Sequence, residues 1–327
     1  MRKILVTGGA GYIGSHTVKI LGEKGNKVYV LDNLSTGFED SVLCGKLYKV
    51  DLLEKAKVNK VFEEITPDAI IHFAAKIFAP ESIKKPLKYY ENNLIGLINL
   101  LEAANKFGIK KVIFSSSAFV YGNPKKIPIS EDSPIDPITP YGQSKAMGER
   151  ILRDFSMPSG LDYVVLRYFN VAGADPEGKL GERKKNATHL ITQATRVACG
   201  HLPELKIFGT DYNTRDGTCI RDYIHVTDLA NAHICALEYL FNEGKKDIFN
   251  CGYGKGFSVK EVVDSVKRVT GVDFPVTEAS RREEDPAELV AETSKIKEVL
   301  GWEPKFDSLD YIVETAANWE KTGLKNK

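Results

Sequence analysis

The first half of the chain alternates short apolar runs with longer amphipathic segments. The apolar runs predict β-strands at residues 3–7, 27–31, 46–50, 69–73, 110–115 and 162–168. Helical patterns lie between them, and the longest covers residues 87–107, with an apolar stripe from Leu94 to Ala104. This alternation predicts an α/β fold, a doubly wound parallel sheet with helices on both faces.

After residue 171 the pattern loosens, and glycine, proline and aspartate are frequent between residues 173 and 181. Such a segment is typical of a loop between domains. Further helices are predicted at 187–199, 227–241 and 259–269, and further strands at 205–208 and 248–250. We therefore predict a first domain over residues 1–171, which the strand near 248–250 rejoins, and a smaller mixed α/β domain over residues 172–327.

A glycine-rich turn directly follows the first predicted strand. Gly8, Gly11 and Gly14 stand between an apolar run and a helical pattern, and the second predicted strand ends at Asp32. Such a Rossmann-type turn places backbone N–H groups and a helix N-terminus against a pyrophosphate. An acid near this spacing binds ribose hydroxyls and would repel the 2′-phosphate of NADP. The sequence therefore predicts bound NAD.

Tyr141 and Lys145 are four residues apart in a helical pattern that follows Pro140, so they lie on one helix face. An ammonium group near a phenol lowers the pKa of the phenol, which would let a tyrosine act as a base near neutrality. Ser117 follows an apolar strand, and its hydroxyl could hydrogen-bond the reacting oxygen. These three residues are our catalytic candidates.

A second tyrosine–lysine pair has the same spacing. Tyr121 and Lys125 enclose Pro124, which makes a regular helix there unfavourable. We therefore expect Tyr121 to have no catalytic role.

Composition and charge argue against several other classes of protein. The 45 lysines and arginines balance 44 aspartates and glutamates, so a basic nucleic-acid-binding surface is not expected. No apolar run approaches the ~20 residues that a membrane-spanning helix needs. Five scattered cysteines form no C-x-x-C pair, and the histidines show no metal-ligand spacing. We expect a cytoplasmic protein without a metal, a nucleic-acid partner or a membrane partner.

The glycine turn, serine, tyrosine and lysine in this order resemble the extended short-chain dehydrogenase/reductase family, and within it the UDP-glucose 4-epimerases. The resemblance covers nearly the whole chain. It is carried by residues 5–17, 72–75, 85–93, 115–122, 166–170 and 221–226, of which the last four are the most specific.

That resemblance implies an NAD-dependent 4-epimerase in which Tyr141 is the base, Lys145 its partner and Ser117 an aid to proton movement. It implies cofactor contacts from Gly8, Gly11, Tyr12, Ile13, Gly14, Asp32, Asn33, Asp51, Leu52, Phe73, Ala74, Ala75, Asn92, Ser115, Tyr141, Lys145 and Tyr168. It implies a UDP-sugar site formed by Ser117, Tyr141, Asn170, His189, Leu190, Lys206, Ile207, Phe208, Arg221, Tyr223, Arg282, Asp285 and Leu289. A homodimer through helices of the first domain is also implied.

Several alternatives remain open. The substrate could be an N-acetylated, pentose or uronate UDP-sugar, because His189, Phe119 and Leu289 depart from common family residues. At Leu289, a leucine leaves volume beside the sugar unless Phe78 or Phe119 fills it. A sugar-nucleotide dehydratase or decarboxylase is disfavoured, since residues 117–120 contain no carboxylate. A non-enzymatic NAD-sensing regulator would leave the serine, tyrosine and lysine unexplained.

Overall fold

Seven parallel strands form the central sheet of the computed structural model, which describes residues 1–184, 187–242, 244–282 and 285–323. With elements numbered in chain order, the strands run across the sheet as β10 (Asp247–Cys251), β6 (Asp162–Tyr168), β5 (Lys111–Ser117), β4 (Ala69–His72), β1 (Lys3–Thr7), β2 (Lys27–Asp32) and β3 (Lys46–Lys49). The strand at 247–251 thus pairs with β6, although about 80 residues separate them along the chain.

Both faces of this sheet are buried. Along β1, Ile4 and Val6 belong to one apolar cluster, whereas Leu5 belongs to the cluster on the other face. Helices α1 (Tyr12–Glu23) and α8 (Val226–Phe241) cover the first face. Helices α2 (Lys55–Ile65), α5 (Gly96–Lys106) and α6 (Pro140–Ser159) cover the second. The predicted α/β doubly wound fold is confirmed.

The remaining strands form two small sheets. β9 (Ile220–His225) pairs with β7 (Asn170–Ala172), β11 (Gly256–Ser258) and β13 (Glu288–Leu289), and β8 (Leu205–Phe208) pairs with β12 (Val276–Ala279). The other helices are α3 (Ala79–Lys84), α4 (Pro86–Tyr90), α7 (Leu190–Ala198), α9 (Val259–Thr270), α10 (Ser294–Leu300) and α11 (Leu309–Gly323). Within the described residues, none of the helices has both the length and the apolar character needed to cross a membrane.

The helix predicted at 87–107 is interrupted in the structure. α4 ends at Tyr90, a π-helical segment covers Glu91–Ile95, and α5 then continues. The side chain of Asn93 explains the interruption: its Oδ1 accepts a hydrogen bond from the backbone N–H of Lys76, and its Nδ2 donates to Ser144 Oγ at 2.9 Å. The extra residue in the turn aims this amide at the loop after β4, a use typical of π-bulges.

Candidate functional site

The predicted site residues follow the carboxyl ends of the parallel strands, which all lie at one edge of the sheet. Gly8 follows β1, Asp32 ends β2, Phe73 follows β4, Ser117 ends β5 and Tyr168 ends β6. The other predicted cofactor residues lie along the same edge or beside it: Gly11 before α1, Tyr12, Ile13 and Gly14 in its first turn, Asn33, Asp51, Leu52, Ala74 and Ala75 in strand-end loops, Asn92 in the π-helical segment and Ser115 in β5.

The turn after β1 is shaped to receive an anion. Gly8 has a φ of +72°, and a Cβ atom there would lie 2.6 Å from the backbone nitrogen of Ala74, so only glycine fits. Helix α1 then begins at Tyr12, and no side chain of the described residues caps it at Gly11. Its first-turn N–H groups remain available, and a pyrophosphate is a suitable partner for them.

Asp32 lies beside this turn with a fixed carboxylate. One oxygen accepts the N–H of Ala10 at 3.0 Å and the other accepts the N–H of Leu34 at 2.8 Å. Burial raises the pKa of Asp32, and these two hydrogen bonds oppose that effect. Each oxygen keeps a further lone pair that a ribose hydroxyl could use. The residues at this end of the site therefore fit the adenosine half of NAD.

Next to it, the loops after β2 and β3 are joined through their side chains. Asn33 Nδ2 donates to Asp51 Oδ2 at 2.7 Å, and the N–H of Leu53 donates to the other oxygen at 2.9 Å. Asn99 of α5 donates to the carbonyl of Leu52 at 2.9 Å. Three of the predicted cofactor residues are thus held in one network beside Asp32.

The start of α6 determines where the two catalytic candidates face. Thr139 caps the helix by accepting the N–H of Gly142 at 3.1 Å, and Pro140 occupies its first position. Tyr141 and Lys145 then lie one turn apart on the face packed against the sheet, where they are 5% and 2% exposed.

Lys145 reaches the backbone of β5. Its Nζ donates to the carbonyl of Ser115 at 2.7 Å and lies 5.1 Å from the ring centroid of Phe114. The close approach depends on Gly148, where a Cβ atom would lie 2.8 Å from the Phe114 ring. The ammonium group is therefore fixed between helix and sheet.

Burial dominates the electrostatics of this pair. Burial raises the pKa of Tyr141 to about 12, opposed by a hydrogen bond with the Ser117 side chain. Burial lowers the pKa of Lys145 to about 8, opposed by the charge of Glu149. The sequence suggested that Lys145 would bring Tyr141 near neutrality, and in this structure the phenol stays protonated instead. A further positive charge at the site would be needed to favour the phenolate.

Tyr121 takes part in a different network behind β5. Its hydroxyl donates to Asn250 Oδ1 at 2.7 Å and accepts from Arg167 Nη1 at 2.9 Å, while Lys125 is exposed in a bend. Arg167 in turn makes a bidentate pair with Glu149 of α6, from Nε to Oε1 and from Nη2 to Oε2. As the sequence suggested, Tyr121 and Lys125 do not lie on a regular helix, and Tyr121 is already committed to structural partners.

Four of the predicted substrate residues lie together. Arg221 Nη2 is 3.4 Å from Asp285 Oδ1, and Arg282 Nη1 is 3.9 Å from the other carboxylate oxygen. The Arg282 guanidinium also lies 4.0 Å from the ring centroid of Phe208. One carboxylate thus brings two guanidinium groups side by side, an arrangement suited to a diphosphate.

Strand β9 connects this cluster to other predicted positions. Asn170 of β7 is the register partner of Tyr223, and Leu289 of β13 is the register partner of Arg221. The Leu289 side chain is 2% exposed and belongs to a small apolar cluster that includes Phe169. Strand β9 therefore brings these predicted positions next to one another in the small sheet.

The structure does not bring every predicted substrate side chain to the same place. Successive residues of β8 face opposite sides, so Lys206 and Phe208 share a face while Ile207 packs into the core. The Tyr223 ring is also buried in the core, and burial raises its pKa. The side chains of Ile207 and Tyr223 are therefore not exposed to a ligand, and these two residues would contact one only through their backbone atoms.

His189 and Leu190 lie at the start of α7, as cap and first residue. His189 Nδ1 is 3.4 Å from the carboxylate of Glu182, whose side chain is 11% exposed. Within the segment after β12, residues 283 and 284 lie outside the described residues, whereas Arg282 and Asp285 on either side are described.

Sequence reasoning missed three buried polar residues near the site, Glu149, Asp222 and His233. Asp222 accepts backbone N–H groups from Tyr253 at 2.8 Å and Gly254 at 2.9 Å, and burial raises its pKa to about 6. The sequence signal that could have indicated these residues is an ionisable side chain inside an otherwise apolar strand or helix pattern.

Comparisons with known proteins agree with this geometry. Residues 4–252 match the NAD dependent epimerase/dehydratase family. A UDP-glucose 4-epimerase from Azospirillum brasilense is 50% identical over 321 residues, which cover 98% of this chain and 92% of that protein.

Solved structures share the fold over their full length. A UDP-glucose 4-epimerase from Brucella ovis, solved in complex with NAD, is 45% identical with a TM-score of 0.95, covering 98% of this chain and 99% of that one. A UDP-Glc/GlcNAc 4-epimerase from Campylobacter jejuni is 48% identical with a TM-score of 0.86, covering 98% of this chain and 99% of that one. With its parallel sheet, its glycine turn and these matches, the chain belongs to the NAD dependent epimerase/dehydratase family.

Proposed function

We propose that this chain is a UDP-glucose 4-epimerase that interconverts UDP-galactose and UDP-glucose while NAD stays bound. The observation that carries the proposal is the placement of buried Tyr141 and Lys145 one turn apart on α6, with Lys145 bonded to β5, the strand that ends at Ser117, at the edge of the sheet that also holds the glycine turn. The names of the relatives from Azospirillum brasilense and Brucella ovis support the same activity.

In this mechanism, Tyr141 takes the proton of the sugar 4-hydroxyl as carbon 4 loses its hydride, and it returns a proton to the 4-oxygen after the keto sugar has turned. Ser117, at the end of β5, would hydrogen-bond the reacting oxygen beside the phenol. Bound NAD⁺ supplies the hydride acceptor and a positive charge. Burial alone keeps Tyr141 protonated, so the phenolate depends on positive charge beside it.

Lys145 provides the protein's own part of that charge. Its ammonium is fixed on the Ser115 carbonyl at 2.7 Å, and with a pKa of about 8 it remains mostly protonated at neutral pH. Its place one helical turn from Tyr141 lets it favour the phenolate once the site is filled.

At the other end of the substrate, Arg221 and Arg282 would hold the diphosphate of UDP. Asp285 orients both guanidinium groups, at 3.4 Å and 3.9 Å. A firmly held UDP leaves the sugar free to turn about its link to the diphosphate, so that the 4-keto sugar can present either face. Return of the hydride to the other face of carbon 4, and of the proton to the 4-oxygen, then gives the epimer.

We further propose that residues 1–171 with β10 form the NAD-binding domain and that residues 172–327 form the UDP-sugar-binding domain. A homodimer through the first domain is supported by apolar side chains exposed on and beside α5 and α6, namely Ile95, Ile98 and Met147. Unpaired cysteines, at all five positions, support the cytoplasm as the compartment.

N-acetylated UDP-hexoses are a second substrate class for the same reaction. A leucine at position 289 is smaller than an aromatic residue and is packed beside Phe169 rather than against the catalytic tyrosine. The relative from Campylobacter jejuni, whose name includes both UDP-Glc and UDP-GlcNAc, supports this extension.

The proposal is tested by incubating the purified protein with UDP-galactose and resolving the nucleotide sugars by chromatography. We expect UDP-glucose, with the nucleotide released by denaturation identified as NAD. A dehydrated or decarboxylated product would favour the alternative enzymes. Bound NAD without any turnover of UDP-galactose would favour a regulator.

A further inference from the structure

His233 packs against the strand ends that carry the candidate site. It is a fully buried residue of α8, on the face of the sheet opposite to α6. Its ring contacts residues from the carboxyl ends of three adjacent strands, β4, β5 and β6. Neither the family's name nor the proposed mechanism gives this histidine a role.

The hydrogen bonds of His233 define its tautomer. Nδ1 lies 2.9 Å from the carbonyl oxygen of Leu229, which can only accept, so Nδ1 carries the proton. Burial lowers the pKa of His233 to about 4, so the ring is neutral and Nε2 is an acceptor. Ser115 Oγ, 2.8 Å away, therefore donates its proton to Nε2.

Ser115 carries that contact through to the catalytic pair. Its hydroxyl is held by His233 from below, and its backbone carbonyl accepts the ammonium of Lys145 at 2.7 Å from above. The hydroxyl of Ser115 is thus fixed by α8, and its backbone carbonyl is fixed by α6. A shift of Ser115 would move the acceptor that positions the Lys145 charge.

Two aromatic rings also contact the His233 ring. The ring of Phe73, which follows β4, is 4.5 Å from the His233 ring between centroids, and the ring of Tyr168, which ends β6, is 6.4 Å away. Both residues belong to the predicted cofactor contacts. The imidazole therefore supports aromatic side chains on either side of Ser115.

We propose that His233 is a positioning residue: it fixes the strand ends that orient Lys145 and support the nicotinamide end of NAD. The inference rests on the proposed epimerase function for its effect on rate, and on the binding of NAD alone for its effect on cofactor retention.

Other ionisable groups face the same region and stay unchanged in the variants below. Glu149 and Tyr141 face Lys145 from its own helix, and His72 faces it from β4. Tyr168 faces His233 from β6. Differences between variants therefore report on His233 and its partner rather than on these groups.

The first variant is His233→Phe, which keeps a ring in place and removes both hydrogen bonds. We expect NAD to leave the holoenzyme about fivefold to tenfold faster during dialysis, the worth of roughly one hydrogen bond. We also expect the acidic limb of the kcat–pH profile to move to higher pH, because a displaced Lys145 favours the Tyr141 phenolate less. An unchanged rate of NAD loss together with an unchanged profile overturns the proposal.

Ser115→Ala removes only the hydroxyl and keeps the proposal testable if His233→Phe does not fold. The two changes delete the same hydrogen bond, so the double variant should lose NAD no faster than the worse single variant. If the two effects multiply, the residues act independently and the coupling through Ser115 is wrong.

His233→Gln is the conservative rescue, since its amide can accept from Ser115 and donate to Leu229. We expect its pH profile to return toward the wild type. Leu237→Ala, one turn further along α8 and fully buried, is the matched control: it should lower Tm but leave the profile and NAD retention unchanged. If this control reproduces the effects of His233→Phe, His233 only stabilises the fold and the proposal is overturned.

The two readouts separate this inference from the proposed function. Failure of the wild type to epimerise UDP-galactose refutes the function, while the comparison of NAD loss among His233→Phe, His233→Gln and Leu237→Ala still decides the role of His233. Normal epimerisation with identical NAD loss and identical profiles in all variants refutes the inference alone.

Discussion

Gly148 lies so close to Phe114 that a Cβ atom on it would approach the end of the phenyl ring to 2.8 Å. This contact sets the distance between α6 and β5, and therefore the reach of Lys145 to the Ser115 carbonyl. The spacing of helix and sheet at the site is thus determined by a residue without a side chain, one turn beyond the lysine.

We expect Gly148→Ala to push α6 away from the sheet. Overpacking of this kind costs about 1–3 kcal/mol of unfolding free energy, against a gain of up to ~1 kcal/mol in helix propensity. Turnover should fall more than stability suggests, because Tyr141 and Lys145 move with the helix. Thermal unfolding and kcat measure the two effects. Arg153→Ala on the exposed side of α6 is the control and should change neither; a fully active Gly148→Ala enzyme would show that the spacing is not critical.

The cofactor should be NAD and should copurify with the protein. Asp32 accepts two backbone N–H groups and presents its charge beside the glycine turn, where it would oppose a 2′-phosphate. Denaturing the purified protein and assaying the released nucleotide tests this, and recovery of mainly NADP would contradict it. Asp32→Asn should bind NAD more weakly and discriminate less against NADP.

The sequence predicted most of this sheet and most of its strand-end residues, because apolar runs and a glycine turn are local signals. Strand β9 was missed since it combines buried polar residues, Arg221, Asp222 and His225, with apolar ones. Its burial depends on partners distant in sequence, such as Leu289. The interruption between α4 and α5 was missed for a similar reason, because it depends on Asn93 reaching Lys76.

The electrostatics of the site could not be predicted from spacing alone. The four-residue spacing of Tyr141 and Lys145 gives proximity, but the pKa of each depends on how deeply the fold buries it. The role of His233 was invisible for a related reason. A histidine in an apolar helix has no local mark of its partner, which here lies 118 residues away in the chain.

Tyr141→Phe should lose most turnover, because general base catalysis is worth ~10²–10⁴-fold. Binding of the UDP-sugar should persist, since only one hydroxyl is removed. Tyr121→Phe is the matched control: it removes the hydroxyl that bridges Arg167 and Asn250, so we expect lower Tm with little loss of kcat. Wild-type turnover in Tyr141→Phe would rule out the mechanism.

The rate should decline at alkaline pH as Lys145 loses its proton. Burial lowers the pKa of Lys145 to about 8, so the ammonium charge is present below this pH and is lost as pH rises through it. Without the charge the Tyr141 phenolate is less favoured, and kcat falls. The kcat–pH profile measures the decline. Lys145→Arg keeps its charge throughout this range and should remove the alkaline decline even if its maximum rate is lower; an identical decline in that variant would assign it to another group.

Leu289 should determine whether the sugar pocket accepts an acetamido group. In the structure its side chain packs with Phe169, while Phe119 is held edge-on against Tyr141 with ring centroids 5.7 Å apart, so the two do not share one cluster. A tyrosine at position 289 would fill the volume beside the 2-substituent, and a clash in a close-packed wall costs about 1–3 kcal/mol.

The measurement is the ratio of kcat/KM for UDP-N-acetylgalactosamine to that for UDP-galactose. We expect measurable turnover of the acetylated sugar by the wild type and a fall in the ratio of about fivefold to 160-fold in Leu289→Tyr, the range that 1–3 kcal/mol implies. Leu289→Met conserves volume and should keep the ratio, which separates pocket size from any disturbance of Arg221 on the paired strand. If the wild type ignores the acetylated sugar, or if tyrosine leaves the ratio unchanged, neighbouring side chains rather than Leu289 limit the pocket.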